Sequence, residues 1–146
     1  EDDFGYALVK DWPVMRYAET FLLRAEARMR QGNANGAAAD INVLRDRAFK
    51  NARAAKNNPD LGKVTADHIN LDFILDERAR ELISEENRRM TLIRTGKLRE
   101  RIALNTDSGP SNKLITGFQN HNVLLPLPLN EIRLNTKAEL PQNPGY

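Results

Sequence analysis

Length, composition and charge exclude several kinds of protein. The 146 residues suffice for one domain with a hydrophobic core, and 40% of them are hydrophobic and 29% charged. The absence of cysteine excludes disulfides, thiolate metal sites and cysteine nucleophiles. The net charge of +2 gives no strong reason to expect a polyanion as partner, and no apolar run reaches the roughly 20 residues that cross a bilayer.

The first predicted element is a helix that begins near Asp11 and Pro13 and ends at Gly32. Asp11 is a capping residue type, and Pro13 suits a first helical turn, where its missing N–H breaks no hydrogen bond. Apolar residues recur at spacings of three and four and so share one face: Val14, Tyr17, Ala18, Phe21, Leu22, Ala25 and Met29. A second helix follows at residues 36–49, and the short link makes the pair an antiparallel hairpin, in partial agreement with the tetratricopeptide pattern.

The middle of the chain is predicted to alternate between loop and helix. Residues 51–66 contain Asn-Asn-Pro-Asp and a glycine, which are typical of a connecting loop. A third helix runs from about Asp67 through "HINLDFILDERARELISEE", and a further turn or two precede Gly96. A short fourth helix is predicted in "KLRERIAL", and residues 105–122 are predicted to be loop.

The chain ends in a segment of different composition. Residues 123–146 contain four prolines, which exclude a long helix and favour extended backbone. Only "LNEIRLN" can hold one helical turn, with Asn130 as its cap. We expect the apolar residues here to be covered, so we interpret the segment as an ordered strap across the helices. The predicted fold of residues 1–146 is therefore one all-α domain of antiparallel helical hairpins with a proline-rich extended C-terminal strap.

The sequence "ERARELISEENRR" at residues 77–89, the charged stretch, has three possible functions. A catalytic carboxylate cluster is disfavoured, because interleaved arginines keep carboxylates ionised and lower their pKa values, whereas a general acid needs a raised pKa. A di-iron site is disfavoured because His68 and His121 do not stand at the Glu-x-x-His spacing. We therefore expect no catalytic residues, no bound metal and no cofactor.

A nucleic-acid interface and a structural ion network are the other two interpretations of the charged stretch. The run from Arg88 to Arg101 is basic but carries no interleaved aromatic residue and follows acidic turns, so nucleic acid is the weaker interpretation. Opposite charges at spacings of three and four pair along a helix, and arginine suits pairing with several partners. We favour an ion network that fixes the register of the helices: Glu77, Arg78, Arg80, Glu81, Glu85 and Arg88.

Three blocks of sequence together resemble one family. They are "RYAETFLLRAEARMRQGN" with "AAADINVLRDRA", then "ILDERARELISEENRRMTLIRTG", and finally "LLPLPLNEIRLN" with "LPQNPGY". In this order they are similar to the C-terminal part of the SusD/RagB outer-membrane lipoproteins of Bacteroidetes, over residues 12–146. Many members have a glycine at the position of Glu86. The helices of that family are tetratricopeptide-like, in agreement with the predicted hairpin.

The resemblance implies a binding protein rather than an enzyme. Such proteins lie at the surface of the outer membrane on an N-terminal lipid anchor and cover a SusC-like TonB-dependent transporter. They bind oligosaccharides, or in some cases peptides, and pass them inward. The chain begins at Glu1 without an initiator methionine, so we expect it to be a piece of a longer protein whose lipid anchor lies upstream.

Aromatic and polar side chains suited to a sugar are few in this chain. Sugar sites use aromatic rings against the apolar face of a pyranose, with amides and charges on its hydroxyls. The candidates for ligand contact are Trp12, Phe118 and His121. Two rival functions remain open, namely a tetratricopeptide-type scaffold for a protein or peptide partner and a basic helical nucleic-acid binder.

Overall fold

The computed structural model describes residues 14–104 and 118–146. Within them the chain forms α-helices and no β-strand: α1 Tyr17–Arg30, α2 Ala34–Lys56, α3 Leu71–Glu81, α4 Arg88–Arg94, α5 Leu98–Leu104 and α6 Leu129–Leu134. The chain divides into two compact units, Glu1–Glu86 and Asn87–Tyr146. The predicted all-α fold of helical hairpins is confirmed, and a single domain over residues 1–146 stays a prediction.

A short turn joins α1 to α2 and provides hydrogen-bond partners for free backbone groups at the end of α1 and the start of α2. Gly32 has a φ of 78°, which glycine adopts without steric cost. Its amide donates to the carbonyl of Met29, and the amide of the next residue donates to the carbonyl of Arg28, which together form a Schellman motif. The side chain of Asn33 then accepts from the amide of Gly36 and caps α2.

Small and branched side chains form the core of the first unit. One buried cluster joins α1, α2, α3 and the loop before α3: Ala25, Ala37, Ala38, Ile41, Val64 and Ile74. A second cluster contains Ala18, Leu22, Leu44 and Leu82. The alanines allow the backbones of α1 and α2 to approach closely. Full burial of each leucine or isoleucine contributes about 1.5–3 kcal/mol, so these clusters are the main support of the hairpin.

The start of α1 differs from the prediction. Its first residue is Tyr17, with Arg16 in extended backbone at the N-cap. The predicted start near Asp11 and Pro13 lies outside the described residues. Val14, which the apolar pattern places on the inner face, is 90% exposed. An apolar pattern predicts burial only where another element covers it, and no described residue covers Val14.

The end of α2 also differs from the prediction. The helix continues to Lys56, so the predicted loop at residues 51–66 is wrong for its first six residues. The segment "NARAAK" consists mostly of alanine, arginine and lysine, which are good helix formers. The helix ends where Asn57 takes the left-handed conformation with a φ of 46°. Asparagine therefore ends α2 as Gly32 ends α1.

Side-chain amides hold the loop that leads to α3. Asn42 on α2 donates to the carbonyl of Val64 at 2.8 Å and accepts from its amide at 3.0 Å. A 3-10 turn follows at Ala66–His68. The α-helix begins only after Asn70, whose side chain accepts from the amide of Phe73. The start of α3 is thus later in the chain than the apolar pattern predicts.

A break at residues 82–87 separates α3 from α4, where the sequence pattern predicts continuing helix. Ser84 has a positive φ of 62°, and the side chain of Asn87 caps α4. Ile83, which the pattern places on the buried face, is 74% exposed as a result. The two short helices predicted on either side of Gly96 are present as α4 and α5.

In the second unit, arginines of α4 and α5 contact the segment that follows the undescribed residues. Arg89 donates to the carbonyl of Asn122 at 2.5 Å. Arg99 donates to the side chain of Asn120 at 2.6 Å. The helical turn predicted near the chain end is present as α6, but Pro128 occupies its N-cap and Asn130 lies inside the helix. Of the predicted loop over residues 105–122, residues 105–117 lie outside the described part of the chain, and a 3-10 turn forms at Asn120–Val123.

The chain end folds back along the proline-rich segment through side-chain bonds to backbone. Gln142 accepts from the amide of Leu127 at 2.7 Å and donates to its carbonyl at 2.9 Å. Two further side chains bond to the same segment. The Asn143 side chain donates to the carbonyl of Leu125, and the Tyr146 hydroxyl donates to the carbonyl of Leu124. We call these contacts the C-terminal clasp. Leu125 is nevertheless 66% exposed, and a strap across the helices stays a prediction.

Candidate functional site

The charged stretch divides between α3, the break and the first turn of α4. On α3, Glu77 and Glu81 are four residues apart and share one helical face. Arg78 lies on a different face and is buried. Glu85 lies in the break, where the chain leaves the helix axis. The stretch is therefore not one continuous charged ridge, and its parts have different partners.

Arg16, at the N-cap of α1, bonds to both Glu81 and Glu85. Its Nη1 lies 3.0 Å from Glu81 Oε1, and its Nε lies 2.5 Å from Glu85 Oε2. Its Nη2 also donates to the backbone carbonyl of Glu81 at 2.8 Å. Arg47 of α2 forms a second ion pair with Glu81. The hydrogen bonds to Glu85 and to Glu81 raise the pKa of Arg16. Through Arg16, Arg47 and Glu81, this cluster joins α1, α2 and α3.

Glu77 bonds to arginines on α2 and α3. Arg45 reaches both of its carboxylate oxygens, at 2.5 Å and 3.0 Å, and Arg80 pairs with Oε1. Burial acts to raise the pKa of Glu77, but the hydrogen bonds and charges of Arg45 and Arg80 together outweigh it and lower the pKa. The carboxylate is thus held ionised, which does not suit a general acid.

Arg78 is the most deeply buried charge of the stretch. Its side chain is 2% exposed and pairs with Glu86 at 2.5 Å and with Glu19 of α1 at 3.0 Å. The Glu86 carboxylate is 4% exposed. This ion pair is therefore buried on both sides. Its geometry ties the break after α3 to α1.

Sequence reasoning missed the partners of the charged stretch on α2. Spacing within α3 allows Glu77 to pair with Arg80 or Glu81 to pair with Arg78, and the first of these pairs is present. Glu81 instead contacts Arg16 and Arg47 on other elements. Arg45 was also missed. One signal was available, because Arg45 lies four residues after buried Ile41 and so adjoins the inner face of α2.

The predicted ligand residues do not belong to the described part of the first unit. Trp12 lies outside the described residues. Phe118 and His121 belong to the second unit and are half-buried. The ring of His121 packs edge-on against Tyr146, with centroids 5.0 Å apart, beside Gly145. Arg88, also predicted in the ion network, is the first residue of α4 and lies in the second unit.

A pocket of about 160 Å³ opens between α2 and α3 beside the Glu77 and Glu81 clusters. Leu44, Ala48 and Phe49 form its apolar wall. The rest of the lining, which we call the charged wall, consists of Arg45, Glu77, Arg80 and Glu81. The ring of Phe49 packs against the loop at Gly62, where an added Cβ would lie 2.7 Å from the ring. The pocket thus combines an aromatic ring with charges of both signs.

Two further properties concern metals and membranes. Across residues 14–104 and 118–146, no group of three or more histidine or acidic side chains is arranged to hold a metal ion. In the same residues, no helix combines the length and the apolar character that crossing a membrane requires.

Comparison with known proteins identifies the family. The model of the SusD family matches residues 5–146. The starch-binding protein SusD of Bacteroides thetaiotaomicron is 34% identical over 137 residues, which are 93% of this chain and 22% of that protein. No solved structure matches the chain. The family predicted from the sequence motifs is confirmed, and the chain belongs to the SusD family.

Proposed function

We propose that the protein carrying this chain binds nutrient oligosaccharides at the surface of the outer membrane without altering them chemically. It passes them to a SusC-like TonB-dependent transporter, and a lipid outside this chain anchors it to the membrane. The observation that carries the proposal is the match to the SusD family over nearly the whole chain, together with a relative that is named a starch-binding protein.

Within that function, we assign this chain mainly a scaffold role. The arginine and glutamate clusters support this role, because they join α1, α2 and α3 and leave the ions paired. A network of this kind fixes helix register more than it adds net stability. Of the ligand contacts expected from the sequence, Trp12, Phe118 and His121 stay proposals.

Glycan binding by the complete polypeptide that carries this chain tests the proposal. We expect binding to neutral oligosaccharides on a glycan array, and co-purification with a TonB-dependent barrel from outer membranes. The purified protein should return the bound oligosaccharide with unchanged length. Hydrolysis of the bound oligosaccharide, or failure to bind any glycan, would refute the proposal.

A second candidate is a tetratricopeptide-type scaffold that binds a protein or peptide, and the helical hairpin of α1 and α2 is the observation that favours it. A peptide library screened beside the glycan array distinguishes the two. Selective binding of peptides with no binding of glycans would favour this candidate. Affinity that falls steeply with salt for duplex nucleic acid would instead favour the basic binder.

A further inference from the structure

The pocket between α2 and α3 is not explained by a scaffold role. An ion network needs paired charges, and it does not need an open cavity beside them. Here Leu44, Ala48 and Phe49 leave an apolar wall facing a volume of about 160 Å³. Apolar side chains beside charged ones are instead what a ligand pocket offers, an apolar surface to cover and polar groups that orient the ligand.

The volume of the pocket limits the size of the occupant. An engineered apolar cavity of roughly 150 Å³ takes up benzene, so a pocket of about 160 Å³ accepts one six-membered ring. A drug-sized ligand needs about 300 Å³ or more. The pocket therefore fits a single ring of a longer ligand whose remainder lies in solvent.

The chemistry of the walls limits the kind of ring. A purely apolar ring leaves the charged wall desolvated without a partner, which is unfavourable. An anionic ring meets Glu77 and Glu81, and a cationic ring meets Arg45 and Arg80. Hydroxyl groups both donate and accept, so a neutral polyhydroxylated ring satisfies carboxylates and guanidinium groups together.

We propose that this pocket binds one neutral pyranose ring of a glycan, an inference that rests on the proposed function in oligosaccharide binding. The apolar face of the sugar lies on the wall formed by Leu44, Ala48 and Phe49. The hydroxyl edge faces the charged wall. The site lies in the α2–α3 region of the chain and is distinct from the candidate contacts Phe118 and His121.

Arg80 is the residue best placed to contact the hydroxyls. Its side chain is 57% exposed, and it bonds to Glu77 through Nε and Nη2. Its Nη1 has no partner among the described residues and is available as a donor. Glu77 stays paired with Arg45 when Arg80 is replaced. Removing Arg80 therefore changes the pocket while Glu77 keeps a cation beside it.

The proposal can be tested by NMR titration of the 15N-labelled chain with methyl α-D-glucopyranoside, and with the galactose and mannose glycosides. For a ligand of about thirteen non-hydrogen atoms at ordinary ligand efficiency, we expect a dissociation constant in the millimolar range. The amide shifts should concentrate at residues 44–49 and 77–81. Cyclohexanol, a ring with a single hydroxyl, should bind at least fivefold more weakly.

Two variants locate the site, and one variant is a matched control. Arg80→Met and Phe49→Leu should each weaken binding at least fivefold. Arg30→Met is the control. Like Arg80, Arg30 is about half exposed, at 52%, and pairs with a buried glutamate on its own helix, but it lies outside the pocket. It should bind like the parent chain. Circular dichroism of each variant establishes that the helices are retained.

Several outcomes would overturn the inference. They are the absence of shifts with all three glycosides, shifts centred outside the pocket, equal binding of cyclohexanol, or unchanged affinity of a folded Arg80→Met chain. The proposed function is tested separately by the glycan array on the complete polypeptide. Array binding that Arg80→Met leaves unchanged would remove this pocket as a sugar site while the proposed function stands.

Discussion

At the residue scale, exposure decides how much each ion pair contributes. Arg78 and Glu86 are almost fully buried, whereas Lys63 and Asp60 form a pair with side chains 46% and 76% exposed. An exposed pair contributes about 0–1 kcal/mol, because water screens both charges. Removing one partner of a buried pair leaves a charge in a medium that solvates it poorly, and the cost is several times larger.

Arg78→Ala should therefore lower the free energy of unfolding by about 3–5 kcal/mol. The variant keeps the buried Glu86 carboxylate and the partly buried Glu19 carboxylate but removes their shared cation. Urea unfolding followed by circular dichroism measures the change. Lys63→Ala is the control and should cost less than about 1 kcal/mol. Similar losses in both variants would show that the burial of Arg78 does not matter.

The lowered pKa of Glu77 predicts a specific dependence of stability on pH. Because its folded pKa lies below the ordinary value of 4.5, the ionised group stabilises the fold above about pH 4.5. That contribution is lost as the pH falls through the folded pKa. Glu77→Gln should thus be less stable than the parent at neutral pH, and the gap should narrow below pH 4.5. Urea unfolding of both chains across this pH range measures the difference in their free energies of unfolding. A difference that widens on acidification would contradict the prediction.

Single residues also show what sequence can and cannot predict about a site. Charge spacing within α3 correctly points to Glu77 and Arg80, because neighbours on one helix follow from its geometry alone. The pairing of Arg45 and Arg47 with glutamates depends on how α2 packs on α3. Spacing from Ile41 places Arg45 beside the inner face of α2, but it does not identify the partner of Arg45 on α3. The pocket wall at Phe49 was missed for the same reason, since it depends on Gly62 of a later loop.

At the element scale, helix interiors were predicted better than helix ends. The apolar spacing and Gly32 identify the hairpin of α1 and α2, because periodicity and left-handed glycine are local properties. The end of α2 at Asn57 and the break at Ser84 were missed, because both residues adopt a positive φ that their types take only occasionally. Tertiary contacts such as Arg78 with Glu86 hold the break in place.

Ser84→Gly should stabilise the break between α3 and α4. A side chain in the left-handed region costs roughly 1–2 kcal/mol, and glycine removes most of that strain while adding entropy to the unfolded chain. The net gain should be about 0.5–1 kcal/mol, or a rise of a few degrees in the melting temperature by calorimetry. Ala54→Gly within α2 is the control and should cost about 1 kcal/mol. A lower melting temperature for Ser84→Gly would contradict the expected strain.

At the scale of the whole molecule, the chain end is ordered by side chains that substitute for a partner strand. Proline cannot donate to a ladder, so "LLPLPL" cannot form regular sheet hydrogen bonds along its length. The C-terminal clasp bonds instead to the backbone of Leu124, Leu125 and Leu127. The apolar residues of this segment led to the prediction that it is ordered. The sequence did not predict that the segment folds back on itself.

Gln142→Ala should loosen the chain end and leave the first unit unchanged. The substitution removes both bonds to Leu127 and the bond from the amide of Asn143 to Gln142. The hydrogen bond that the Leu127 amide itself makes is worth about 1 kcal/mol, so exchange of this amide should accelerate about fivefold to tenfold in hydrogen exchange read by NMR. The amide of Ile41, in the other compact unit, should keep its rate, because local opening in one region leaves a separate cooperative region protected.

Gln31→Ala, at an exposed helix end, is the matched control and should change neither the exchange rate of Leu127 nor that of Ile41. Unchanged protection of Leu127 would mean that the clasp does not order the proline-rich segment, and faster exchange at Ile41 would mean that the two units open together.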